Sequence, residues 1–380
     1  MTAGLFGVAA ATMVGHWLGS VLLLVALVAA RRPLTFAAAV IGWLAVPTVV
    51  ALITVGRSDF GLEHRAFYCV AALAAFAANV APLLGLVACR AWQWIGRVFV
   101  LAAPLVPVYG DFTPFAPVVQ VAVLWQGLGY SAFILALLVV AITAPATIAN
   151  PIARCGTVLA AVIALVCTFT SPVTRNDVET AIAVQVTAGP VAERSHLDNQ
   201  YSLIADVADA LQEHPRVLAA EASLGVLQPA TALRLARLAD SMTQRQMAFV
   251  GALAVDDATG LAMNGYVVLS GAKRTADFVP ARVSMPSPTG TVKLAFRVDR
   301  TSPHDGTVGT RPGPVVMVCL EEILATSLWT LQGRDDVVVL ANHWWDGWGV
   351  LSTLQKRYGT LWPKIMGLVL DRADLPGGGR

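Results

Sequence analysis

Apolar positions run almost unbroken through the first 172 residues, and after residue 179 they shorten into strips that alternate with polar ones. A helix crossing a bilayer core needs about 20 consecutive apolar residues. Residues 5–30, 34–55, 66–89 and 118–144 meet that length, and 152–169 is shorter but clean. Residues 98–108, with Pro104 and Pro107, make half a span unless Trp92 to Ile95 are counted in. The pattern therefore predicts a multi-pass α-helical membrane bundle of about six spans over 1–172. With six spans, loops one, three and five hold Arg31, Arg32, Arg90, Arg97 and Arg154, against Arg57 and Arg65 in loops two and four. Positive loops stay cytoplasmic. The expected location is a bacterial inner membrane, with everything after the last span on the periplasmic side.

From residue 179 onward the periodicity predicts an α/β domain. Residues 180–187 read as a strand. Residues 196–214 read as a helix, with Leu197, Tyr201, Ile204, Val207, Ala208 and Leu211 on one face and Pro215 as its stop. Strands follow at 216–220, 247–255, 265–270, 315–320 and 337–341, and helices at 231–244, 321–331 and 347–358. The expected division is a bundle (1–172), an α/β domain (173–365) and a C-terminal tail (366–380).

Charge sharpens this division. Hydrophobic residues make up 56% of the chain and charged ones 13%, against roughly 25% charged in a soluble domain. Residues 1–172 hold seven Arg, no Lys and three acids, whereas 173–380 hold 19 Lys+Arg and 21 Asp+Glu. A wholly soluble enzyme, a disordered chain and a disulfide-stapled mini-protein are excluded. A net charge of +2 without a basic cluster gives no nucleic-acid footprint. Cys69, Cys89, Cys155 and Cys167 sit in or beside the spans as small apolar residues, so Cys319 leaves the α/β part without a disulfide framework. Metal-ligand pairs, a Walker loop, G-x-G-x-x-G and G-x-S-x-G are all missing, so no metal and no cofactor is expected.

Two reactive side chains fall at the ends of apolar strands, where α/β folds place their chemistry: Glu221 and Cys319. A carboxylate beside a thiol can take its proton. The thiolate then attacks a carbonyl or nitrile carbon and an acyl-enzyme forms. Glu321 and Glu322 begin the next helix, whose N-terminus would lower the thiol pKa and offer backbone N–H groups to an oxyanion. Each residue also has a structural reading: Cys319 as a buried thiol, Glu221 as a helix cap, His343 as a packed core histidine, Asn342 as a turn residue.

Taken in order, these residues resemble the nitrilase (carbon–nitrogen hydrolase) superfamily. Val217-Leu218-Ala219-Ala220-Glu221-Ala222-Ser223 resembles its strand leading into the general-base Glu. Met317-Val318-Cys319-Leu320-Glu321 resembles its nucleophile strand. Val338-Val339-Leu340-Ala341-Asn342-His343-Trp344-Trp345 resembles the strand after that. The resemblance covers roughly residues 179–350 and implies an α-β-β-α sandwich with a Glu–Lys–Cys site. It also implies a pocket that would include Glu321, Asn342, His343, Trp344 and Trp345. The family Lys falls on Pro280, so Arg282 is the nearest cation for the oxyanion.

A membrane bundle ahead of such a domain is the layout of apolipoprotein N-acyltransferases. In length and in the Asn-x-Trp-Trp signature the chain is also similar to the plasmid conjugal-transfer proteins called TraB. Leu124-Trp125-Gln126-Gly127-Leu128-Gly129-Tyr130 is similar to a Gly/aromatic stretch of those membrane regions. What the resemblance implies is a membrane-embedded amidase or N-acyltransferase acting through a Cys thioester. Its partners would be membrane lipid, an acylated or lipid-anchored substrate and the conjugation machinery. The alternative is a catalytically degenerate scaffold of a conjugation apparatus.

Overall fold

The structure is a computed structural model that describes residues 2–58, 62–88, 92–144, 151–170, 181–184, 191–256, 260–284, 297–298, 314–331, 333–343, 346 and 349–375. The N-terminal part is helical: α1 (Thr2–Thr12), α2 (Trp17–Ala29), α3 (Pro33–Arg57), α4 (Leu62–Val80), α5 (Leu84–Ala88), α6 (Gln93–Ala102), α7 (Pro117–Ala122), α8 (Tyr130–Ile142) and α9 (Pro151–Thr170). Among the described residues, two helices are long and apolar enough to cross a membrane, Pro33–Arg57 and Leu62–Leu86. Among the described residues a third candidate is the pair Pro117–Trp125 and Tyr130–Ile142, bent by 108° to each other, if the two act as one span.

The expectation of six continuous spans is corrected at two breaks. Residues 5–30 form two helices rather than one, because the chain turns at Gly15 with a φ of 80°. Residues 118–144 are likewise broken, at Gly127 (φ 81°) and Gly129 (φ 57°). Glycine reaches these left-handed angles without a Cβ penalty, and hydropathy does not register the turn. α1 lies tightly against α3 through small residues: a Cβ on Gly7 would stand 2.2 Å from the Ala39 carbonyl oxygen, and one on Gly42 2.3 Å from that of Gly4. Such close backbone approach is how apolar helices associate without a hydrophobic driving force between them.

The remainder alternates strands and helices: β1 (Ile182–Ala183), α10 (Val191–Arg194), α11 (Leu197–Glu213), β2 (Arg216–Ala219), α12 (Pro229–Ser241), β3 (Met247–Val255), β4 (Ala262–Ser270), β5 (Thr275–Pro280), β6 (Val283–Ser284), β7 (Arg297–Val298), β8 (Val315–Val318), β9 (Asp336–Asn342), α13 (Val350–Gly359), α14 (Leu361–Met366) and β10 (Val369–Leu375). One sheet has the order β1-β2-β3-β4-β5, parallel from β1 to β3 and antiparallel from there on. A second has the order β10-β9-β8, all parallel. β10 comes from the segment assigned to the C-terminal tail. Its charges, Asp371, Arg372 and Asp374, are paired: Arg216 holds both Asp371 (2.5 Å) and Asp336 (2.7 Å), tying the two sheets at one edge.

The sheets stack face to face. Leu218, Ala220, Phe249 and Tyr266 of the first meet Val316, Val318, Val338 and Leu340 of the second. α11 and α12 cover the outer face of the first sheet through Leu203, Val207, Leu211 and Leu235. The outer face of the second sheet (Val315, Met317, Val337, Val339) is covered by Tyr358, Leu361, Trp362 and Ile365 of α13 and α14, and that core is continuous with the helical part. The domain is thus an α-β-β-α sandwich. Burial on both faces explains why β8 and β9 read as unbroken apolar runs instead of alternating ones.

Sandwich and bundle are joined by hydrogen bonds as well. Phe115 N–H donates to the Ile323 carbonyl (3.0 Å), and Pro114 bridges Leu324. Tyr358 Oη donates to the Ala116 carbonyl (3.1 Å), and Trp43 Nε1 to the Phe115 carbonyl (2.8 Å). The glycine turn within 124–130 docks on α14: Gly127 N–H donates to the Lys364 carbonyl (2.9 Å) and Gly129 N–H to that of Ile365 (2.8 Å).

Candidate active site

Glu221 follows the end of β2, in a turn where Ser223 N–H donates to the Ala220 carbonyl and Ala222 has a φ of 53°. The turn rests on β3 at Gly251. A Cβ there would stand 2.1 Å from the Ala220 oxygen, 2.5 Å from the Glu221 Cα and 2.7 Å from the Ala222 nitrogen, all backbone. Gly251→Ala must therefore displace the Glu221 turn. The expected result is a loss of about 1–3 kcal/mol of stability, the usual cost of overpacking, with a lower melting midpoint in a thermal scan.

Cys319 follows β8 directly. The sequence places the strand's end at this residue; in the structure the strand stops at Val318 and Cys319 opens a 3-10 turn over Cys319–Ile323. Its φ is 45°, a conformation unusual for a side chain larger than glycine's. Backbone strain of this kind clusters at functional positions, and here it stands the thiol at the mouth of the strand.

The two ends meet. The Cys319 thiol and the Glu221 carboxyl are direct neighbours that act on each other's ionisation. Asn264 Nδ2, on β4, donates to Glu221 Oε1. Burial is the main cause that raises the Glu221 pKa, opposed by hydrogen bonds from Cys319 and Asn264 and by the charges of His343 and Arg194. The Cys319 thiol is pushed well above its ordinary value, first by burial, then by the Glu221 charge and hydrogen bond, then by Glu322. This overturns the expectation of a lowered thiol pKa: the helix expected at 321–331 is two short 3-10 segments, and negative charge flanks the sulfur. The resting thiol keeps its proton, and the carboxyl group is the neighbour placed to receive it.

A second tier holds the pair. Gln355 Nε2, on α13, donates to the Cys319 carbonyl (3.0 Å), approaches its Sγ (3.8 Å) and donates to Glu322 Oε1 (2.7 Å). Glu322, fully buried, is also gripped by the Arg372 guanidinium. Arg372 in turn holds Asp374 (2.7 Å), which also receives Lys356 (3.0 Å) and lies 3.6 Å from His343 Nε2. Burial would raise the Asp374 carboxyl, but His343, Arg372 and Lys356 together hold it well below its ordinary value.

Among the expected site residues, then, Glu221 and Cys319 come together and His343 lies within electrostatic reach of Glu221. Glu321 acts on the backbone instead. Its Oε2 accepts the Val318 N–H (3.0 Å) and fixes the turn that presents Cys319. Asn342 is buried at the end of β9, in register with Leu375. Trp344 and Trp345 lie outside the described residues. Pro280, expected from the resemblance to stand in place of a Lys, ends β5 opposite Gly265. Arg282 is buried and donates to Ser327 Oγ (3.2 Å).

A cation that acts on Glu221 is Arg194, from α10. It is buried and donates to the Ala222 carbonyl (2.9 Å), and burial lowers its pKa to about 10. Sequence reasoning missed Arg194, Asn264 and Gln355. Asn264 alone left a local trace, as a lone amide within an otherwise apolar strand. Among the described residues no group of three or more His, Cys, Asp or Glu could hold a metal ion.

No family model and no curated protein matches the sequence. Among solved structures, the chain is similar to a cysteine-to-alanine mutant of the Nesterenkonia AN1 amidase from the nitrilase superfamily, at 15% identity and a TM-score of 0.38, covering 52% of this chain and 78% of that one. It is also similar to a glutamate-to-glutamine mutant of that amidase, showing Michael addition of acrylamide at the active-site cysteine, at 15% identity and a TM-score of 0.37, covering 51% and 77%. A third is an amidase from Nesterenkonia sp., at 16% identity and a TM-score of 0.37, covering 52% and 77%.

Proposed function

We propose that the chain is a membrane-embedded enzyme of the nitrilase superfamily, an amidase or N-acyltransferase that works through a thioester on Cys319. The observation that carries this reading is the meeting of Glu221 and Cys319 at strand ends of two different sheets. Glu221 takes the Sγ proton as sulfur attacks a carbonyl carbon. The C–S bond forms, the C–N or C–O bond breaks, and the proton passes from Glu221 to the leaving group. Water or an acceptor amine then attacks the thioester and frees the thiol. The bundle fused to the sandwich favours an acylated or lipid-anchored substrate at the bilayer. A periplasmic sandwich on a bacterial inner membrane, and service to plasmid conjugation, follow from the Arg distribution and the TraB resemblance.

A second reading has one observation in its favour: Pro280 stands where the family has Lys, as expected of a scaffold that has lost catalysis. Intact-mass analysis separates the two. Incubated with p-nitrophenyl butyrate, the detergent-solubilised chain is expected to gain one butyryl group on Cys319, and Cys319→Ala none. A wild-type chain that stays unmodified would favour the scaffold.

A further inference from the structure

We propose that Gln355 donates a hydrogen bond to the Cys319 sulfur as it ionises, and that the Arg372–Glu322 ion pair holds the amide in place for this, so that the C-terminal strand β10 supports the nucleophile through α13. This rests on Cys319 being the nucleophile. The first observation is contact. Gln355 Nε2, buried on α13, stands 3.0 Å from the Cys319 carbonyl oxygen, 3.8 Å from Sγ and 2.7 Å from Glu322 Oε1. An amide offers two N–H donors at one end and an acceptor oxygen at the other, whereas a backbone carbonyl and a carboxylate only accept. Glu322 and the Cys319 carbonyl therefore decide which end of the amide faces the sulfur. One hydrogen goes to Glu322, and the other is shared between the Cys319 carbonyl and Sγ.

The second observation is the support behind the amide. Glu322 is fully buried and accepts from the Arg372 guanidinium through both carboxylate oxygens. Its backbone carbonyl accepts from Trp362 Nε1 (2.9 Å). Gly359 lies one turn along α13 from Gln355, on the same face. A Cβ there would stand 2.1 Å from Glu322 Oε2. One helix face thus carries the donor and leaves room for the carboxylate that orients it.

The sulfur needs this donor at one stage. A thiol accepts hydrogen bonds weakly, and a hydrogen bond to an ionised acceptor is about twice as strong as a neutral one. When the Sγ proton passes to Glu221, negative charge appears on a sulfur that the nearby Glu322 carboxylate already opposes. Gln355 donates to both. It keeps its two protons throughout, and only the shared hydrogen turns from the Cys319 carbonyl towards Sγ. The contact forms again when the thioester breaks and the C–S electron pair returns to sulfur.

The test reads iodoacetamide alkylation at the Cys319 peptide of the full chain, at one fixed pH, because the thiolate is the reacting form. Gln355→Met keeps the length of the side chain and loses the donor. Alkylation is expected to slow about tenfold or more, the scale of one hydrogen bond to a charged group. Gln355→Lys restores a donor and should recover most of the loss. Gln355→Asn draws the amide back by a methylene and should slow like Gln355→Met, so it decides the question if the Met variant fails to fold. A wild-type rate in Gln355→Met or Gln355→Asn would overturn the proposal. So would a Gln355→Lys chain as slow as Gln355→Met, which would make the amide an architectural residue. Butyrylation by p-nitrophenyl butyrate is followed alongside: a wild-type chain that alkylates but never butyrylates would refute the nucleophilic role of Cys319, while the alkylation rates still decide the hydrogen bond.

Discussion

Glu221→Gln is expected to slow acylation of Cys319 by about 10²–10⁴-fold, the range that general-base catalysis contributes. The amide keeps the shape of the side chain and can still meet Asn264, but it cannot take a proton. The effect should be large here because the thiol is not a ready-made thiolate: burial and two carboxylates hold its proton on. An enzyme with a depressed thiol pKa would ionise without help and would tolerate the substitution. This one depends on transfer to its neighbour in the same step as attack. The loss should appear in the rate of butyryl transfer measured by mass at the Cys319 peptide, with the circular dichroism spectrum unchanged.

Glu322→Ala is expected to have the largest effect on stability. Glu322 has 0% exposure and accepts from Arg372 and Gln355. Removing one partner of a buried ion pair costs about 3–5 kcal/mol, because the other charge is left in a medium of low polarity. Among the described residues Arg372 would keep only Asp374. For a chain of this size the melting midpoint should fall on the order of 10 °C. If the uncompensated guanidinium is the cause, Glu322→Ala with Arg372→Met should lose clearly less than the sum of the single variants, a coupling that a double-mutant cycle reads directly.

The pair at the centre of the site was legible because each member closes a short apolar run, and a polar side chain there has few other places to go. The α/β layering was legible for a related reason: strands buried on both sides carry uninterrupted Val and Leu, whereas the stacking of two sheets was implied only by the nitrilase resemblance. β10 was not legible. Asp371, Arg372 and Asp374 make its sequence look solvated, and only the partners brought in by the fold, Arg216 and Glu322, allow those charges to be buried. The bundle misled for a different cause. Gly15, Gly127 and Gly129 pass as apolar in a hydropathy count, yet their positive φ angles end helices. Arg194 lies 27 residues before Glu221, and nothing local marks it as belonging to the site. The helix expected after Cys319 failed because Glu321 turns back to cap Val318, closing a tight turn in place of a regular helix.

The measurement that bears most directly on the Glu221–Cys319 pair is the iodoacetamide alkylation rate of Cys319 against pH, for wild type and Glu221→Gln. Removing the carboxylate removes a charge that opposes thiolate formation. The alkylation profile of Glu221→Gln should therefore move to lower pH, making the thiol easier to ionise even as acyl transfer becomes slower. Superimposable profiles would mean that the two side chains do not share a pocket, and the proposed chemistry would have no base.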